Sequence, residues 1–199
     1  VPLFMLAGEI MNVGGLSKRI VDFAITLVGH KRGGLGYVTI LAAVMMAALS
    51  GSAVADTAAL AALLLPMMVA AGHNRASAGG LIASAGIIAP IIPPSIGFVI
   101  FGVAANLSIG KLFLAGIFPG IAMGLSIAIA WWWVARRENT TQPPKASRAV
   151  VLAAAKASIW AMFLPVIVLI GLKFGIFTPT EAAVVAAVYA LFVSTVVYG

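Results

Sequence analysis

The chain has 199 residues, of which 63% are hydrophobic and 9% charged, and its mean hydropathy is +1.16; a soluble domain carries about 25% charged residues, so this composition describes a multi-spanning membrane protein. Absence of Cys excludes disulfides and thiolate metal sites, and two His cannot build a transition-metal cluster alone. The net charge of +7 lies in short loops between apolar segments, where it sets topology, and is no nucleic-acid footprint.

Val1 stands in mid-segment with no initiator Met and no signal-type start, as expected of a piece of a longer polypeptide. Residues 1–12 read as the end of a transmembrane helix, with Glu9 near its end reaching the interface. Asn12-Val13-Gly14-Gly15 stops it. Residues 16–30 form an amphipathic helix with Leu16, Ile20, Phe23, Ala24 and Leu27 on one face. It is too short and too charged to span, and is expected along the membrane surface. His30 reads as a surface residue beside Lys31 and Arg32.

Residues 35–71 are apolar on both sides of a small polar stretch, Ser50-Gly51-Ser52-Ala53-Val54-Ala55-Asp56. A crossing helix needs roughly 20 residues, whereas each arm has about 15, or about 22 Å of helix. The pattern predicts a re-entrant hairpin with its tip at 50–56. Irregular backbone at membrane depth survives only against protein or a wet cavity. Asp56 sharpens the reading, since a carboxylate near the bilayer centre costs about 2.5–3.5 kcal/mol and needs a cation or donors facing it. The competing reading is one long helix with small close-packing residues. Pro66 breaks or kinks the second arm.

Residues 81–106 are long enough to cross, but Pro90, Pro93 and Pro94 fall at their centre, followed by Ser95 and Gly97. Prolines remove backbone donors and free carbonyls, so a discontinuous transmembrane helix broken at 90–97 is expected. Residues 112–135 form an ordinary span ending in three tryptophans and Arg136-Arg137, an aromatic belt with a basic stop. A linker follows at 136–157, with a surface helix from about Ser147, and then a span at 158–173. Thr178, Pro179 and Glu181 make a capping box opening a last span at 178–199, so Glu181 has a structural role.

With the hairpin not crossing, ten basic residues fall on the inside (Lys18, Arg19, Lys31, Arg32, Arg75, Arg136, Arg137, Lys145, Arg148 and Lys156), while Lys111 and Lys173 alone fall outside. The positive-inside rule then places residues 16–34, 72–76 and 136–157 in the cytoplasm. A single crossing at 35–71 would invert every later loop.

PLFMLAGEIMN, HKRGGLGYV, LSGSAVADTAAL, PIIPPSI, GKLFLAGIFPG and FTPTEAA, in that order, resemble the large membrane subunit of TRAP transporters, the DctM-like family. The resemblance implies an all-α, inverted-repeat, elevator-type transporter of the bacterial or archaeal inner membrane. It implies sodium-coupled uptake of an organic acid, such as a dicarboxylate or sugar acid. A periplasmic substrate-binding protein and a small four-helix membrane subunit are its implied partners. No cofactor is expected beyond Na+ as coupling ion. This chain would hold the first repeat's hairpin and broken helix and the start of the second repeat.

Residue chemistry agrees with that expectation. Sodium is a hard cation, and unwound carbonyls and hydroxyls ligate it without fixed charge. The expected sodium site joins Ser50, Gly51 and Ser52 of the tip to Pro93, Pro94 and Ser95 of the break. Asp56 is expected nearby as an orienting or charge-balancing group, and Ser52 and Ser95 as donors to a substrate carboxylate. Asp56 and Glu9 keep proton coupling open. Two alternatives stand beside it: a related hairpin-fold transporter needing no binding protein, and an intramembrane enzyme using Ser52. The second lacks a base within reach, as His30 and His73 lie in loops.

Overall fold

The computed structural model describes residues 2–138 and 140–198, the side chain of Ser50 excepted, and all regular structure in them is helical. The helices are α1 (Pro2–Val13), α2 (Leu16–Val28), α3 (Gly34–Ser50), α4 (Ala53–Ala70), α5 (Arg75–Gly86), α6 (Ile96–Ala104), α7 (Ile109–Ala135), α8 (Arg148–Lys173) and α9 (Pro179–Phe192), the last running on as a π-turn at Val193–Val197. By length and composition, Ala53–Ala70, Ile109–Ala135, Arg148–Lys173 and Pro179–Val197 are apolar enough to cross a membrane.

α3 and α4 form a hairpin, and its geometry is read from where its ends lie. Trp131 Nε1, near the end of α7, donates to Gly33 O at 2.9 Å. Its ring lies 5.3 Å from that of His73, just beyond α4. Arg32 donates to Arg136 O at 3.0 Å, and Thr141 N–H to Ala71 O at 3.0 Å. Entry and exit of the hairpin therefore meet at the C-terminal end of α7. Within it, Thr39 Oγ1 reaches Met68 Sδ at 3.7 Å, joining the start of α3 to the end of α4.

The far end of the hairpin stops part-way along α7. There Gly51 packs on the loop between α5 and α6, and that loop lies beside Gly116 and Gly120 of α7. These glycines precede Trp131 by 15 and 11 residues, about 16–22 Å of helix. α7 continues about two further turns beyond Gly116 to Ile109. The contact is close because α7 repeats Gly every fourth residue: a Cβ at Gly116 would meet Ile91 O at 2.3 Å, one at Gly120 would meet Ile92 Cγ1 at 2.4 Å, and one at Gly124 would meet Val44 Cγ2 at 3.3 Å. Small residues let membrane helices approach closely, where dispersion supplies the attraction. This Gly116-Gly120-Gly124 spacing was legible in the sequence and marks the face that receives the broken element.

The second arm is longer than its sequence suggests. α4 begins at Ala53 and has 18 residues, about 27 Å, enough to cross by length alone. Pro66 lies within this continuous helix and does not end it. The tip is accordingly shorter than 50–56: α3 is capped by Gly51, and Ser52 already caps α4.

Three other boundaries shift. The break in the discontinuous helix runs from Ile87 to Ser95, earlier than 90–97. α7 starts three residues before 112. The surface helix expected from Ser147 and the span expected at 158–173 are one helix, α8, because Ala153-Ala154-Ala155-Lys156-Ala157 contains only good helix formers. α2 spends much of its apolar face on protein. Leu16, Ile20, Val21 and Ala24 are buried, and Ser158 of α8 donates to Arg19 O at 3.0 Å. Leu27 stays exposed.

Candidate functional site

Two helices end and two begin at the meeting of tip and break. α3 ends on Gly51, whose φ of 60° is left-handed, a conformation glycine adopts without the penalty other residues incur. α4 starts at Ser52, whose hydroxyl accepts from Ala55 N–H at 3.4 Å. α5 ends at Ile87, and α6 starts at Ser95, which accepts from Phe98 N–H at 3.3 Å. Ser95 is buried, and its hydroxyl donates to Pro90 O, satisfying one carbonyl that the prolines leave free. Pro93-Pro94 is a cis peptide. A Cβ on Gly51 would meet Pro94 O at 2.6 Å and Ser95 Cα at 3.1 Å. Tip and break are thus in van der Waals contact. Helix N-termini favour anions and C-termini favour cations, so both kinds of charge find a partner at this junction.

The expected site residues divide between two faces of the tip. Gly51, Pro94 and Ser95 form the contact itself. Ser52 and Asp56 line a cleft of about 60 Å³, walled also by Glu9, Asn12 and Ser17 and by no residue of the break. Pro93, next to Pro94 in the chain, lines an apolar cavity of about 310 Å³ with Met45, Ala48, Ile117, Ile121 and Met162. The Ser50 side chain lies outside the described residues.

Asp56 is 3% exposed. Its position follows from helical spacing: with Leu60, Leu64 and Met68, all fully buried, it makes an every-fourth-residue stripe along α4. The stripe faces protein, which keeps the carboxylate off lipid. Sequence reasoning undervalued Glu9. It stands with Met5 and Asn12 on one face of α1, and that face forms the cleft wall opposite the tip. Spacing of three and four residues was the available signal.

His73 lies in the loop between α4 and α5, as its sequence position suggests, but it is buried there. It is 5% exposed, and Nδ1 lies 2.6 Å from Glu138 Oε2. Glu138 Oε1 also accepts from Asn74 N–H at 3.2 Å. The pair sits at the open end of the hairpin, remote from Ser52. At α9 the capping box is complete: Thr178 N–H and Oγ1–H donate to Glu181 Oε2 at 2.7 and 2.8 Å, and Glu181 N–H donates to Thr178 Oγ1 at 3.3 Å.

Among the described residues, all regular structure is helical, and four apolar helices of spanning length with a hairpin seated against a helix break have the architecture of a polytopic membrane protein. Residues 1–199 match the family model described as "Tripartite ATP-independent periplasmic transporter, DctM component", and the chain belongs to that family. It is 62% identical over 198 residues to the 2,3-diketo-L-gulonate TRAP transporter large permease protein YiaN of Escherichia coli strain K12, covering 100% of this chain and 47% of that protein. It is 43% identical over 198 residues to the C4-dicarboxylate TRAP transporter large permease protein DctM of Vibrio cholerae, covering 100% and 44%. It is 40% identical over 198 residues to the sialic acid TRAP transporter permease protein SiaT of Haemophilus influenzae, covering 100% and 32%. The chain thus spans about half the length, or less, of the curated relatives it matches. These relatives are transporters and not enzymes.

Proposed function

We infer that the chain supplies the first hairpin and broken helix of a TRAP large permease subunit that takes up an organic acid across the bacterial or archaeal inner membrane, driven by a sodium gradient. The observation that carries this reading is the contact of Gly51 with Pro94 and Ser95, which brings four helix termini together part-way along α7. Broken helices at such a point offer carbonyl ends to a cation and amide ends to a carboxylate. Sodium held by oxygens of residues 50–52 and 93–95 would clamp tip to break. Substrate affinity then rises with sodium, and sodium affinity with substrate by the same factor. Asp56 balances charge beside Ser52.

The hairpin is read as re-entrant, with residues 16–34, 72–76 and 136–157 cytoplasmic. Its support is twofold: the ten-to-two charge count, and the meeting of Gly33, His73 and Trp131 at one end. The relatives' names cover 2,3-diketo-L-gulonate, a C4-dicarboxylate and sialic acid, and the shared chemistry is a carboxylate. A periplasmic binding protein and a small membrane subunit complete the proposed transporter. In the elevator reading, the hairpin and broken helix move as one body.

The test uses the full-length permease with its small subunit in liposomes. Uptake of a labelled organic acid is measured with and without an inward sodium gradient and the binding protein. Dependence on both is expected. Uptake independent of the binding protein would favour the related hairpin-fold transporter. Ser52→Ala and Ser95→Ala are expected to raise the sodium concentration needed for half-maximal uptake; unchanged sodium dependence in both removes these hydroxyls from the site.

A further inference from the structure

A groove of about 370 Å³ lies far from the tip, between the C-terminal half of α2 and the first turns of α8. It is lined by Lys145, Arg148 and His30 and by the apolar side chains of Phe23, Leu27, Val151, Leu152 and Ala155. Among the described residues, no carboxylate lines it. Among the described residues, neither Lys145 nor Arg148 forms an ion pair. His30 Nδ1 is buried with no hydrogen-bond partner. The N-terminus of α8 opens at the same place: Ser147 caps Val150 N–H at 3.4 Å, and Arg148 is the first helical residue. A helix N-terminus with two cations beside it is a site for an anion.

The apolar lining narrows the choice of anion. Leu27 is 37% and Leu152 60% exposed, and a free inorganic anion would leave that apolar surface bare. Along α8 the cations Arg148 and Lys156 give way to Ile159, Trp160, Met162 and Phe163, all exposed. The groove therefore sits where the basic linker meets the lipid-facing part of the helix. Basic pockets between helices at the cytoplasmic surface bind acidic lipid head groups. We propose that this groove binds one anionic glycerophospholipid, its phosphate at Lys145, Arg148 and the α8 N-terminus and an acyl chain along Phe23, Leu27 and Leu152. The lipid would join α2, which leads into the hairpin, to α8 beyond it.

Native mass spectrometry of the full-length permease tests this. Delipidated protein is titrated with phosphatidylglycerol or with phosphatidylcholine of the same acyl chains, and separately with inorganic phosphate. Tighter binding of the first phosphatidylglycerol is expected, and the Lys145→Gln/Arg148→Gln variant should lose on the order of tenfold or more of that affinity. Both side chains are exposed, so folding is not at stake; Lys145→Arg/Arg148→Lys should retain binding, and Lys111→Gln, outside the groove, should change nothing. Equal binding of the two lipids, or an unaffected double variant, overturns the proposal. Competition by millimolar phosphate as effective as that by phosphatidylglycerol would make this a simple anion site and also overturn it.

Discussion

Replacing Gly51 by Ala probes the junction directly. Two costs add. A non-glycine residue at φ 60° costs about 1–2 kcal/mol, and the new methyl would lie 2.6 Å from Pro94 O, an overpacking of about 1–3 kcal/mol. The sum is about 2–5 kcal/mol. At about 2–4 °C per kcal/mol for a chain of this size, the variant should melt several degrees or more below the parent. Relief by movement requires the tip to retreat from the break by about 1 Å, a misplacement able to cost on the order of 100-fold at a functional site. The assay compares thermal unfolding by tryptophan fluorescence in detergent with sodium-titrated uptake in liposomes. Gly79→Ala is the control, since a Cβ there meets nothing within 4 Å; in a helix interior it should add up to about 1 kcal/mol. Wild-type melting and sodium dependence in the Gly51 variant would refute the claim that tip and break are packed in contact.

Trp131→Phe removes the indole bond to Gly33 O, which keeps its bond from Gly36 N–H at 3.0 Å, and should cost about 0.5–1.5 kcal/mol, read as a lower unfolding temperature; Gly36→Ala, whose Cβ would meet Trp131 Cε2 at 2.0 Å, should act in the same direction through steric conflict. Thr178→Ala loses the exposed cap of α9 and should cost about 1 kcal/mol with sodium dependence unchanged; a shift in sodium affinity would give Thr178 a role beyond capping. Asp56→Asn should keep the fold yet weaken sodium-driven uptake, measured at fixed substrate and varied sodium; wild-type titration curves would remove Asp56 from charge balance. Gly120→Leu should separate α7 from Ile92 and give a protein that fails to reach a monodisperse state in size-exclusion chromatography.

Composition and the long unbroken apolar runs pointed to helical membrane character, since lipid admits only helices and closed barrels and barrel strands alternate apolar with polar residues. Local chemistry located the elements: Gly51 and Ser52 divide the hairpin, the prolines divide the next helix, and Thr178 with Glu181 opens α9. Such signals are legible because turns and caps act over three or four residues. The family resemblance carried what composition did not reach, and residues 1–199 match that family.

Tertiary structure decided what depends on which helices are neighbours. Pairing of Gly51 with Pro94 and Ser95 joins segments more than 40 residues apart, and no local periodicity encodes it. Glu9 looked like a residue at a helix end until α1 was placed against the tip. His73 sits in the loop where the sequence put it, but only the fold encloses it between Trp131 and Glu138. Arm length was the weakest sequence argument, since one extra turn lets α4 reach spanning length and shifts no polar residue. Local order follows from residues touching along the chain, whereas a site built from broken helices exists only where distant ends converge.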